Sequence, residues 1–150
     1  MFGPTPTVSL PLGINAITLT VDDRKCGTSS DTIIITVEDM TPPQIKTLSA
    51  TPNVLWPVNH KMVSVTLNAT VADNLDSAPS IKIIGISSNE PMDSDEDWEI
   101  TGNLTLKLRA ERLGNGTGRI YTITCQATDS AGNSALKTVI VTVPHDQGGK

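Results

Sequence analysis

An all-β fold, an antiparallel sandwich, is predicted by three observations. Apolar and polar residues alternate with period 2 in several separate runs, among them Val63/Val65/Leu67/Ala69/Val71, Leu104/Leu106/Leu108 and Tyr121/Ile123/Cys125/Ala127. Such alternation puts one set of side chains on each face of a strand. Aromatics are 3% of a chain that is 37% hydrophobic, so the core must rest on Val, Ile, Leu and Ala, and β-branched side chains suit a pleated surface. Ten prolines and eleven glycines spread along 150 residues fit short strands joined by turns. No window sustains a helical period.

The clearest element is residues 121–143, in which the runs Tyr121/Ile123/Cys125/Ala127 and Val139/Val141/Val143 flank Asp129-Ser-Ala-Gly132-Asn133. Gly and Asn take positive φ at little cost, so this turn closes a hairpin. The hairpin has a second copy: Ile17, Thr18, Asp23, Ile35, Thr36 and Val37 match Ile123, Thr124, Asp129, Val141, Thr142 and Val143 at one constant offset of 106. A period near 100 residues is the size of an immunoglobulin-like sandwich domain. The predicted organisation is therefore a two-strand hairpin and linker of a preceding repeat (1–41), a complete immunoglobulin-like sandwich of about seven strands (42–146) and a short tail (147–150). The boundary falls at Asp39-Met-Thr-Pro-Pro43, where two prolines stiffen an extended linker.

Within the complete unit, 44–50 forms the first strand and ends at Thr51-Pro52-Asn53. Residues 62–72 alternate cleanly and form the second. The third, 80–87, changes phase between Ile83 and Ile84, which predicts a bulge or burial on both faces. A short strand at 98–101 and another around Leu104–Leu106–Leu108 follow, and Gly114-Asn-Gly-Thr-Gly118 turns into the closing hairpin. In the first copy, Ile17/Leu19/Val21 and Ile33/Ile35/Val37 are patterned for burial, yet an isolated hairpin is marginal in water. It is expected to be ordered, by docking on the complete domain or by strand pairing with another copy of the chain, the latter favoured.

The net charge of −5 and the scatter of the eleven basic residues exclude a nucleic-acid partner, because phosphate neutralisation needs clustered Lys and Arg. No apolar run reaches the roughly 18 residues a membrane span needs. The opening MFGPTPTVSLPLG lacks the charged and apolar regions of a signal peptide. Cys26 and Cys125 are the only cysteines; one falls in a turn and one on an inward strand position, so they are not expected to pair.

Six of the sixteen acidic residues lie between Glu90 and Glu99. The alternate spacing of Asp93, Asp95 and Asp97 lets carboxylates converge on a hard cation such as calcium, with Asp73 and Asp76 as further candidate ligands. The alternative is a solvated acidic loop. The pattern is not an EF-hand, since Trp98 and Leu104 stand where that loop needs Gly and Glu. Glycosidase-type carboxylate chemistry needs a cleft lined by aromatics, and the chain has only Phe2, Trp56, Trp98 and Tyr121. His60 and His145 lack partners at zinc spacing, and no Gly-x-Ser-x-Gly occurs. Trp56-Pro57-Val58-Asn59-His60 is either a recognition surface built on Trp56, Asn59 and His60 or, the favoured reading, a Trp plug at one end of the sandwich. Asn68, Asn103 and Asn115 head glycosylation tripeptides.

The segments DMTPPQI, LWPVNHKM (55–62), DWEITG (97–102) and ATDSAGNSA…VTVPHD resemble hyalin-repeat and related immunoglobulin-like modules of large secreted bacterial and archaeal proteins. The likeness covers 41–146, and 10–40 match the tail of such a repeat. It implies a secreted or cell-surface location and an adhesive, spacer or stalk role without catalysis. Neighbouring repeats, other copies, surface glycans or proteins are the implied partners. In many relatives a cysteine follows the Asp-Asn after the second strand; here Leu75 holds that place, leaving Cys125 without that partner. The expected function is thus a non-enzymatic extracellular module for adhesion, spacing or assembly, calcium-stabilised at the acidic residues. The alternative is an accessory or carbohydrate-binding module of a secreted hydrolase.

Overall fold

A computed structural model describes residues 5–92 and 96–146, divided into two compact units, Met1–Met40 and Thr41–Lys150. Every strand of either unit pairs antiparallel with its sheet neighbours, and the described residues contain no helix.

The first unit is a two-stranded sheet of β1 (Gly13–Asp22) and β2 (Thr28–Val37), with Ile17 opposite Ile33 and Asp22 opposite Thr28. Asp23 shapes the turn: its Oδ1 accepts the backbone N–H groups of Lys25 (2.7 Å) and Gly27 (3.0 Å), and its own N–H donates to Gly27 O at 3.0 Å. Those donors hold the Asp23 carboxyl below its ordinary pKa.

The second unit is a sandwich. Its strands are β3 (Gln44–Thr51), β4 (Met62–Ala72), β5 (Ser80–Ser88), β6 (Trp98–Ile100), β7 (Thr105–Arg109), β8 (Gly118–Thr128) and β9 (Ser134–Pro144). One sheet has the order β3-β4-β7-β6 and the other β5-β8-β9. Period-2 alternation turns Val65 and Leu67 of β4 and Leu106 and Leu108 of β7 inward, onto Tyr121, Ile123 and Cys125 of β8 and Val141 and Val143 of β9. The phase change in β5 is a bulge, with the register shifting between Ile83 and Gly85.

After β3 the chain crosses to the other sheet. Val54 makes a parallel bridge with Thr142, Leu55 N–H donates to Thr142 O (2.8 Å), and Thr142 N–H donates to Asn53 O (3.0 Å). This pairing fixes the local alternation, so Leu55 is buried and Trp56 is left 43% exposed. The residue that plugs this position is Leu55, and the favoured reading of Trp56 as the plug is corrected.

The two hairpins keep the offset of 106 in three dimensions. Ile123 lies opposite Val139 and Thr128 opposite Ser134, the register of β1 and β2 moved by 106. Asp129 repeats the bonds of Asp23: its Oδ1 accepts from Ala131 N (2.9 Å) and Asn133 N (2.8 Å), and its N–H donates to Asn133 O at 3.0 Å. Gly132 has φ +94°, and at the matching position Cys26 has φ +98°. A non-glycine residue held there costs on the order of 1–3 kcal/mol.

Cys26 is exposed and Cys125 buried, and both thiols are free. Burial also pushes the Cys125 thiol up in pKa, which suppresses the reactive thiolate. A maleimide added to the native protein is expected to modify Cys26 at once and Cys125 only after denaturation, as intact-mass measurement before and after adding guanidinium will read. Simultaneous modification of both would contradict the packing of β8.

Candidate functional site

Charged side chains gather where β8 begins and β7 ends. Arg119 shares the inward parity of Tyr121 and Ile123, so its guanidinium is almost fully buried. Burying an unpaired ion costs several kcal/mol, and this cation is surrounded by acceptors. Nη1 donates to Asp97 Oδ2 (2.7 Å) and to the Tyr121 hydroxyl (3.1 Å), Nε to Glu90 Oε2 (3.3 Å), and Nη2 to the Pro91 carbonyl (3.0 Å). The Tyr121 hydroxyl in turn donates to the Arg109 carbonyl at 2.8 Å. Trp98 packs edge-on against the Tyr121 ring, centroids 6.2 Å apart.

The network extends outward. Asp97 Oδ1 lies 3.3 Å from Arg109 Nε, an ion pair that is off the hydrogen-bond line. Arg109 Nε also lies 3.8 Å from Glu111, which sits 3.4 Å from His60 Nδ1. Glu90 Oε2 accepts from Leu113 N–H at 2.8 Å, whereas Glu90 Oε1 is buried without a hydrogen-bond donor among the described residues. Desolvation pulls the Arg119 pKa down, but the hydrogen bonds and charge of Tyr121 and Asp97 outweigh it and the pKa is raised. Burial likewise raises Tyr121, against the opposing pull of Arg119. The arrangement anchors both ends of the segment joining β5 and β6 onto the start of β8.

Of the acidic run expected to bind calcium, Asp97 is therefore turned inward to Arg119. Asp93 and Asp95 lie outside the described residues. Glu96 and Glu99 are exposed, Glu99 being 4.0 Å from Lys107.

Asp73, Asp76 and Asp129 sit at the opposite end, in the loops that follow β4 and β8. Asp73 Oδ2 accepts from the N–H groups of Leu75 (2.9 Å) and Asp76 (2.8 Å), and its Oδ1 is buried with no hydrogen-bond partner among the described residues. Asp76 Oδ2 accepts from Ser130 N–H at 2.8 Å, tying one loop to the other. Asp129 is buried, which raises its pKa, but donors from Asn133, Ala131 and Gly132 outweigh that and hold it below the ordinary value. Carboxylate oxygens of Asp73 and Asp129 come within 4.8 Å of each other. Two carboxylates that close, one with an unused buried oxygen, can hold a metal ion.

Trp56, Asn59 and His60 are exposed. Asn59 Oδ1 accepts from Lys61 N–H (3.1 Å), and His60, at φ +62°, gives its carbonyl to Arg109 Nη1 (2.9 Å). Asn68, Asn103 and Asn115 are all exposed, Asn68 on β4 and the other two in loops. Sequence reasoning missed Arg119 as the partner of the acidic run. The signal was present: an arginine at an inward parity of the strongest strand pattern demands buried acids. No helix among the described residues is long and apolar enough to cross a membrane. No protein-family model matches the chain, and no curated protein is significantly similar to it.

Proposed function

We propose that the chain is a non-enzymatic, immunoglobulin-like spacer and assembly module of a repetitive secreted or surface protein. One observation carries this reading: the sandwich takes the chain in at one end and releases it at the other. Gln44 starts β3 opposite Ala72, at the end where β8 finishes, and Pro144 ends β9 opposite Gly118, where β8 starts. Tension between those points runs along the strands, and the parallel bonds of Asn53 and Leu55 to Thr142 are loaded in shear. The strand orders β3-β4-β7-β6 and β5-β8-β9 match the ABED and CFG sheets of constant-type immunoglobulin domains, and the Tyr121–Arg109 bond resembles their tyrosine corner. The duplicated hairpin supports a tandem array, and the resemblance to secreted repeat modules supports the location.

Pulling the chain by its ends in a force spectrometer should unfold the sandwich in one cooperative step. The roughly 100 residues released have an extended length of roughly 35 nm at ~3.5 Å per residue, and the step is that length less the folded span of the sandwich. Gradual extension without a step would remove the spacer reading. A second reading, a carbohydrate-binding accessory module, is favoured by the exposed Trp56 beside Asn59 and His60. Glycan-array binding lost on Trp56→Ala would support it.

Calcium is the cation proposed for the Asp73–Asp129 end, because hard oxygen donors suit it. Free calcium at 100 times its dissociation constant stabilises by about 2.7 kcal/mol. The melting temperature is expected to rise in millimolar calcium, fall back with chelator, and stay fixed in Asp73→Asn. An unmoved melting temperature in the parent chain would dismiss the ion.

A further inference from the structure

The β1–β2 hairpin carries an apolar face that its register mate in the sandwich keeps covered. Leu19 and Ile33 are 58% and 60% exposed, whereas their counterparts Cys125 and Val139 are buried and partly buried against the β3-β4-β7-β6 sheet. Among the described residues the outer edge of β1 is unpaired, whereas the same edge of β8 is paired by β5. Strand register, turn hydrogen bonds and the left-handed turn residue all agree at the offset of 106. The molecule itself thus shows what covers a hairpin of this geometry.

We propose that the face of β1–β2 is an acceptor for a five-strand immunoglobulin-type half-sandwich, equivalent to β3 through β7, that lacks buried acids. This rests on the tandem-module reading above. The last condition comes from the positions matching Arg119 and Tyr121, which are Gly13 and Asn15. At those two positions the hairpin has no cation to offer, so a partner carrying acids like Glu90 and Asp97 would bury them without the arginine that bonds both in the sandwich, which is strongly unfavourable. The partner that fits has neutral side chains at both places, and its specificity is set there.

The test replaces residues 1–11 by a copy of residues 41–117, joined directly ahead of Leu12, with Glu90→Gln and Asp97→Asn in the copy. A thiol introduced by Leu19→Cys in a Cys26→Ser background reports burial. In the 150-residue chain it should label as an exposed thiol. In the extended chain labelling should slow by about 100-fold or more, as for a residue freed only by opening of a packed strand. A matched chain, with the acids kept and a copy of residues 118–144 replacing 12–38, gives the rate for full burial at the copied Cys125. The Leu19→Cys chain with acids kept should be protected less than the neutral one.

If the matched chain is protected and the Leu19→Cys thiol labels as fast as before, the acceptor role is overturned, while the single mechanical step of the sandwich would still uphold the spacer reading. Protection already present in the 150-residue chain and rising with concentration would give the face to a second copy instead. That outcome overturns the proposal too.

Discussion

Replacing Arg119 by methionine is expected to destabilise the sandwich by about 3–5 kcal/mol, the cost of removing one partner from a buried ion pair. The loss exceeds that of an ordinary surface pair, worth about 0–1 kcal/mol, because water cannot reach the groups left behind. Asp97 is fully buried and Glu90 nearly so. Without the guanidinium, Asp97 Oδ2 and the Tyr121 hydroxyl lose their donor, and Glu90 Oε2 keeps only Leu113 N–H. Arg109 cannot substitute, since its Nε faces the other Asp97 oxygen and its Nη groups are held by the His60 and Glu96 carbonyls. Urea unfolding followed by tryptophan fluorescence measures the effect through Trp98, which packs on Tyr121. Adding Glu90→Gln and Asp97→Asn to Arg119→Met should recover more than half of the loss, because the penalty lies in the stranded charges. A single-variant loss below about 1 kcal/mol would mean that water reaches the network.

Much of the fold was legible because a strand announces itself locally. The alternation of Val63 to Val71 defines β4, and the phase slip at Ile83 and Ile84 is the bulge of β5. The repeat was legible for the same reason, since the Asp and the apolar positions that build one hairpin recur in the other. What local pattern does not encode is which loop meets which strand. Glu90 and Asp97 reach Arg119 across 29 and 22 residues of chain, from a loop whose sequence has no period. Asp73 and Asp129 meet only because the ends of β4 and β8, in opposite sheets, lie at the same end of the sandwich. Trp56 misled for a related reason. Its bulk suggests burial, but the parallel bridge at Val54 decides the phase and gives the inward place to Leu55.

Truncating two isoleucines at equivalent positions should give opposite results. Ile123→Ala is expected to cost the sandwich about 2–5 kcal/mol, the transfer and cavity cost of a fully buried aliphatic side chain, since Ile123 is wholly enclosed between the sheets. Ile17→Ala removes the same atoms at the same register position of β1, opposite Ile33 as Ile123 is opposite Val139. Ile17 belongs to the other compact unit and is only partly buried. Its loss should leave the sandwich transition within about 0.5 kcal/mol of the parent, as for substitutions away from a packed core. Equilibrium urea curves of both variants, fitted with a common slope, give the comparison directly. Equal destabilisation by the two would show that the hairpin and the sandwich unfold as one cooperative body. A negligible effect of Ile123→Ala would move the centre of the core away from β8, against the burial of Tyr121, Ile123 and Cys125 along one face of that strand.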